Sequence, residues 1–304
     1  FNRWDNAQTL ISNEILKVAA NPSEPANVAS IAALADSFGH ILADSSCLDY
    51  FKAAILTLPA ISVLESLIKP ADPVGLFNAR LAVESALGQH MHEQYHESLE
   101  PKKSTKLAMT AGGRALRNRL LALAVAAGDM EADDVVVDQV LNANMTLSQG
   151  ALAAVNNWPT AVRETVLAIF HDRWQDNSLV LEKWFSFESM SCISGRIERL
   201  EQLMQHPTFD FKNPNKLRVV LGAFMAGNPV RFYAADGSGF EFIADCLIDI
   251  DKRNSQLAAR MALPLTRMGA YSDARQHQMR EALERMQATV QSTDLGEVIE
   301  KALA

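Results

Sequence analysis

Helix-breaking punctuation recurs along this chain at intervals that leave room only for short rods. Asn21-Pro22, Pro59, Asp72-Pro73, Pro101, Gly128, Trp158-Pro159, His206-Pro207, Asn213-Pro214 and Asn228-Pro229 each end or start a helix. Between these breaks, apolar residues return every three or four positions, as in VLAIFHDRW (166–174) and CLIDIDKRNSQLAARMALPL (246–265). That spacing lines one face of a helix. Runs of β-branched residues are few, and the best strand candidate, VVVD (135–138), sits inside a helical pattern. Amphipathic helices joined by short loops, with no sheet to pack on, must bury their stripes on each other. The segments are too numerous for one bundle. The sequence therefore predicts an all-α fold: an α-solenoid or superhelix of antiparallel helix pairs, HEAT/armadillo-like, with degenerate repeats because no clean period is visible. One domain is expected over 1–304. A weak internal boundary is expected near 98–105, where ESLEPKKSTK (97–106) reads as a polar loop.

The totals narrow the function classes. A net charge of −8 with scattered Lys and Arg argues against nucleic acid, because phosphate binding needs a basic face. No apolar run approaches the ~18–20 residues that span a bilayer, so no membrane partner is expected. Cys47, Cys192 and Cys246 lie far apart with no C-x-x-C pair, which suggests neither a disulfide framework nor a thiolate zinc site. A reducing compartment, the cytoplasm, is expected, and no signal peptide is visible. The chain opens on Phe1 rather than Met, which predicts a piece of something longer.

One stretch proposes chemistry. HMHEQYHESLE (90–100) contains His92-Glu93-Gln94-Tyr95-His96, a match to H-E-x-x-H. On a helix this pattern sets two imidazoles one turn apart on zinc, with the Glu as general base. Asp72-Pro73 is a good helix start, and one helix is expected from there to about Ser98. Its apolar stripe is Phe77, Leu81, Leu87, Met91, Tyr95 and Leu99. His92 and His96 each lie one residue past a stripe position, about 100° round the helix, with Glu93 turned further toward solvent. A catalytic zinc needs a third ligand and a pocket. In one large class of such peptidases the third ligand is a Glu at a fixed spacing, occupied here by Ala115; in another, Gly and His follow, and here those places are Leu99 and Lys102. The following lysines would repel a cation. We therefore read His92, Glu93 and His96 as a false motif on a solvated face, with no metal and no catalytic residue. Gly112-Gly113 and Gly237-Ser238-Gly239 are not phosphate loops, and there is no G-x-S-x-G elbow. Asp245, Asp249 and Asp251 on one helix read as water-facing or capping carboxylates.

The final third is distinctive. HPTFDFKNPNKLRVVLGAF (206–224), NPVRFYAADGSGFEFIAD (228–245) and RNSQLAARMALPL (253–265) follow one another, with FNRWDNAQTL (1–10), GRALRN (113–118) and DNSLVLEKWF (176–185) upstream. These ordered blocks resemble the C-terminal helical domain of the bacterial aminopeptidase N family, the gluzincin-type zinc alanyl aminopeptidases. The resemblance runs through to the closing EKALA. Tyr233 stands where the family usually has His, and Phe240 where it has Tyr, which puts hydrogen bonds from those positions in doubt.

The resemblance implies a non-catalytic domain that caps the active site and forms part of a substrate chamber or channel. Its zinc would lie in an absent catalytic domain of the same polypeptide, so this fragment would hold no cofactor and be inactive alone. Peptides would be the substrates of the full enzyme. The family match points to Arg218 and Arg260 as channel-facing, able to pair with a peptide carboxylate; an ordinary ion pair with Asp249 or Asp251 is the alternative. Asn254 is a helix start close to Arg260. Tyr233 and Asp236 lie in the Asn-Pro and Gly-rich segment, whose tight turn offers backbone amides either to a ligand or to a neighbouring domain. Trp4, Trp174, Trp184 and Phe185 are expected as core anchors. A free-standing helical-repeat scaffold that binds proteins in its groove is the competing reading.

Overall fold

The computed structural model describes residues 2–23, 28–193 and 197–304; Phe1, which opens the FNRWDNAQTL block, lies outside them. Among the described residues every regular element is a helix, and the only sheet-like feature is a bridge between Ala71 and Tyr271. No helix among the described residues is long and apolar enough to cross a membrane. The chain forms two compact units, one of residues 1–64 and 75–175, the other of 65–74 and 176–304. The division thus falls after Gln175, not near 98–105. The reason is local: ESLEPKKSTK is not a loop. Pro101 takes the first position of a helix, Pro101–Ala108, that follows the His92–Leu99 helix after Glu100. Both pack on the helix Ala111–Ala127.

Ala111–Ala127 organises the first unit. Thr110 caps its start, accepting from the Gly113 amide at 2.9 Å. Leu116, Leu120, Leu121, Leu123 and Ala124 are buried along it, against the helices Asp49–Leu56 and Met145–Val155. Its end is set by Gly128, whose φ of 78° favours glycine, and the Asp129 amide then bonds back to the Ala124 carbonyl at 3.1 Å. VVVD lies inside the helix Glu131–Asn142, with Val136 in the core.

The helix expected from Asp72-Pro73 to Ser98 is broken. Pro73–His90 ends where Met91, fully buried, leaves helical geometry (φ −99°, ψ 19°), and the helix restarts at His92. Beneath Pro73–His90 lies a buried charge cluster. Arg119 donates to Glu84 and, at 2.7 Å, to the Leu56 carbonyl; Arg80 reaches the other Glu84 oxygen at 3.5 Å and the Pro59 carbonyl at 3.0 Å. Burial pushes the Glu84 carboxyl up, but Arg119 and Arg80 outweigh it and hold it below its ordinary value.

The second unit is built on Ser178–Met190, Ser238–Asp251, Ser255–Ala262, Asp273–Gln287 and Thr293–Leu303. Its core includes an edge-to-face cluster of Phe224, Phe232, Tyr233 and Phe240. The pattern 246–265 splits after Asp251, and Asn254 caps the next helix by accepting from the Leu257 amide at 3.0 Å. The helical run opened by Asn213-Pro214 contains a π-helical turn, Arg218–Gly222, that no sequence signal announced. Of the expected anchors, Trp184 and Phe185 are core. Trp174 is half-buried, and Trp4 is exposed on the flank of the helix Asn2–Ala20.

Candidate functional site

Three of the five predicted channel residues come together. Arg218, Asn254 and Arg260, with Pro214, Gln256 and Leu257, line a small cavity of about 120 Å³ in the second unit. The two Asn-led helix starts create it: Asn213 accepts from the Asn215 amide at 2.9 Å, and Asn254 caps Ser255–Ala262. Asn215 in turn accepts from Arg218 Nη1 at 3.2 Å, holding one edge of that guanidinium. Among the described residues no carboxylate lines the cavity. The ion-pair alternative is not what forms: Asp249 pairs with Lys252 at 2.8 Å, and Asp251 accepts from the Ser292 hydroxyl. Asp245 pairs with Arg285 at 2.9 Å, so these three carboxylates cap or pair locally. Both arginines are exposed, and two guanidinium groups flanking an acid-free pocket suit an anion.

Tyr233 and Asp236 do not join this pocket's lining. Tyr233 is buried, and its hydroxyl shares a 2.7 Å hydrogen bond with the Tyr271 hydroxyl. Burial, then Tyr271, pushes its phenol above the ordinary range. A hydrogen bond therefore survives at this position, whereas Phe240 is fully buried and has no polar atom to offer. Asp236 shapes the turn. It accepts from the Ser238 hydroxyl at 2.6 Å and the Ser238 amide at 3.0 Å, which hold its carboxyl below the ordinary range. The Gly237 amide bonds to the Ala234 carbonyl, so the expected set of free turn amides is occupied internally. A Cβ on Gly239 would lie 2.2 Å from the Arg231 carbonyl oxygen, so close packing, not ligand binding, accounts for that glycine.

The H-E-x-x-H stretch has a different geometry from the one its spacing suggests. Glu93 is exposed and stands outside the cluster that forms. The rings of His92 and His96 lie with centroids 4.3 Å apart, tilted 38° to each other. His96 is half-buried rather than solvated, with Nε2 3.0 Å from Asp129 Oδ2 and Nδ1 3.7 Å from Glu131. Donor atoms of His92, His96 and Asp129 all lie within 4.8 Å of one another. Asp129 was missed by sequence reasoning. The only signal was Gly128-Asp129, which announces a helix stop and says nothing of what the Asp faces. The lysines expected to repel a cation lie on Pro101–Ala108, and Lys103 is neutralised by Glu97. Burial pushes the thiols of Cys192 and Cys246 up to about 12, so neither is a nucleophile at neutral pH.

Comparison with known proteins gives a consistent picture. The family described as "Domain of unknown function (DUF3458_C) ARM repeats" matches residues 1–304. Aminopeptidase N of Escherichia coli (strain K12) is 33% identical over 311 residues, covering 100% of this chain and 36% of that protein. Aminopeptidase N of Haemophilus influenzae is 32% identical, covering 100% of this chain and 35% of the relative. The chain thus spans about a third of the length of these relatives. A crystal structure of Legionella pneumophila aminopeptidase A in complex with aspartic acid has the same fold, with a TM-score of 0.84 at 24% identity, over 100% of this chain and 37% of that one.

Proposed function

This chain belongs to the DUF3458_C family, the C-terminal ARM-repeat domain of aminopeptidase N, and on that premise we propose that it forms a non-catalytic wall of a peptide chamber. Its partner is a zinc-bearing catalytic domain of the same polypeptide, and the assembled enzyme, in the cytoplasm, removes N-terminal residues from peptides. The role of this chain is capture, not bond cleavage. Arg218 and Arg260 provide two charged forks on the wall, and a peptide's C-terminal carboxylate is the anion they fit. The observation that carries this reading is the cavity of Arg218, Asn254 and Arg260, which contains two guanidinium groups and no acid. Were the arginines structural, their charges would be matched within the domain.

The test is made in the full-length enzyme. Arg218→Ala combined with Arg260→Ala lowers kcat/KM about tenfold on an alanyl peptide with a free carboxylate, the scale of one to two kcal/mol of lost charged hydrogen bonding. Hydrolysis of an alanine anilide, which has no carboxylate, stays unchanged. Equal losses on both substrates refute the carboxylate role. Separately, mixing this chain with an enzyme lacking it restores anilide hydrolysis if the wall acts in cis with the catalytic domain.

A further inference from the structure

We propose that His92, His96 and Asp129 form a binding site for a transition-metal ion of the Zn2+ class. This departs from the reading of the sequence, which took the two histidines as a solvated face.

The ligand set is chemically selective. Two imidazoles and one carboxylate suit zinc and its neighbours, whereas calcium and magnesium prefer all-oxygen shells. The geometry is close to assembled. The donor atoms lie within 4.8 Å of one another, and the two imidazoles are adjacent, with centroids 4.3 Å apart.

Two of the three ligands are also held from behind. Asp129 Oδ1 accepts from the Glu131 amide at 2.9 Å, which leaves Oδ2 as the atom turned to His96 Nε2. The backbone of Asp129 is fixed by the left-handed Gly128 and the bond to Ala124. On the far edge of the His96 ring, Glu131 stands 3.7 Å from Nδ1. A carboxylate behind the second nitrogen fixes the ring so that Nε2 faces the metal.

The cluster opens on a cavity of about 260 Å³ whose walls include Leu99, Ala124 and Val135, leaving room for water in the fourth position. Glu93, which the H-E-x-x-H pattern would use as its general base, stands outside the cluster.

The experiment titrates the full chain with Zn2+ against a chromophoric chelator, with Mg2+ as the negative probe. About one Zn2+ per chain is expected, with a rise in Tm. His92→Ala, at an exposed position where folding is not at risk, weakens binding by about 100-fold, and Asp129→Asn does so similarly. Glu93→Gln and His277→Ala leave the affinity unchanged. No stoichiometric binding, or binding that survives His92→Ala and Asp129→Asn, overturns the proposal. Dependence on Glu93 also overturns it, because it returns the stretch to the H-E-x-x-H reading.

Discussion

The two units each bring a pair of arginines to one place, and the surroundings of the pairs differ. In the first unit Arg80 and Arg119 converge on one buried carboxylate, Glu84, and each also donates its Nε to a backbone carbonyl, Pro59 and Leu56 respectively. In the second, Arg218 and Arg260 flank a shallow cavity, face solvent, and have no acid on the cavity's lining. The residue type is the same. Burial and the presence of an acid decide whether the charges lock helices together or stay available to a ligand. A buried guanidinium must be paired, whereas an exposed one is solvated and free to exchange water for an anion.

The largest effect should come from breaking the buried pair. Glu84→Ala leaves two half-buried cations without their shared buried carboxylate and is expected to cost about 3 kcal/mol by urea unfolding. A cost under about 1 kcal/mol would mean that water already reaches the cluster and that the contrast with the second unit is false. Acidity sharpens the point. The Glu84 carboxyl is held below its ordinary 4.5 in the folded chain, because the arginines outweigh the burial that pushes it up. Its contribution is therefore fully present above about pH 4.5 and is lost as pH falls through the folded value. The stability gap between wild type and Glu84→Gln should be constant near neutrality and narrow below that point.

Tyr233 tests whether the second unit contains comparable buried pairing away from its pocket. Tyr233→Phe leaves the Tyr271 hydroxyl buried without its 2.7 Å partner, at a cost of about 1–3 kcal/mol. Equilibrium unfolding of the single and paired Phe variants decides it. If Tyr233→Phe with Tyr271→Phe recovers part of the loss, the cost comes from the orphaned hydroxyl; if the losses add, it comes from packing.

How far the sequence reached follows the same division. The all-helical fold was legible because punctuation and apolar spacing are local: Pro73, Pro101, Pro214 and Pro229 all begin helices where they stand. Arg218, Asn254 and Arg260 were named through resemblance to a family, and the structure places them on one cavity. What was not legible is what distant segments bring together. Nothing near Glu84 announces Arg119, and nothing near His96 announces Asp129, because both meetings depend on how Ala111–Ala127 packs. The Met91 break and the π turn at Arg218 were invisible for a related reason. Tertiary packing bends a pattern that reads as continuous helix.

The smallest stability effect is expected where the functional effect is proposed. Arg218→Ala with Arg260→Ala should change unfolding free energy by no more than about 0.5 kcal/mol, because both side chains are exposed and neither closes an ion pair among the described residues. The sign is informative. Two like charges flanking one cavity repel, so removing them should stabilise slightly. Raising salt should bring the wild type toward the variant by screening that repulsion over a Debye length of about 8–10 Å. A clear loss of stability, insensitive to salt, would show the arginines acting as scaffold like Arg80 and Arg119, and the second pair would then join the first as structure.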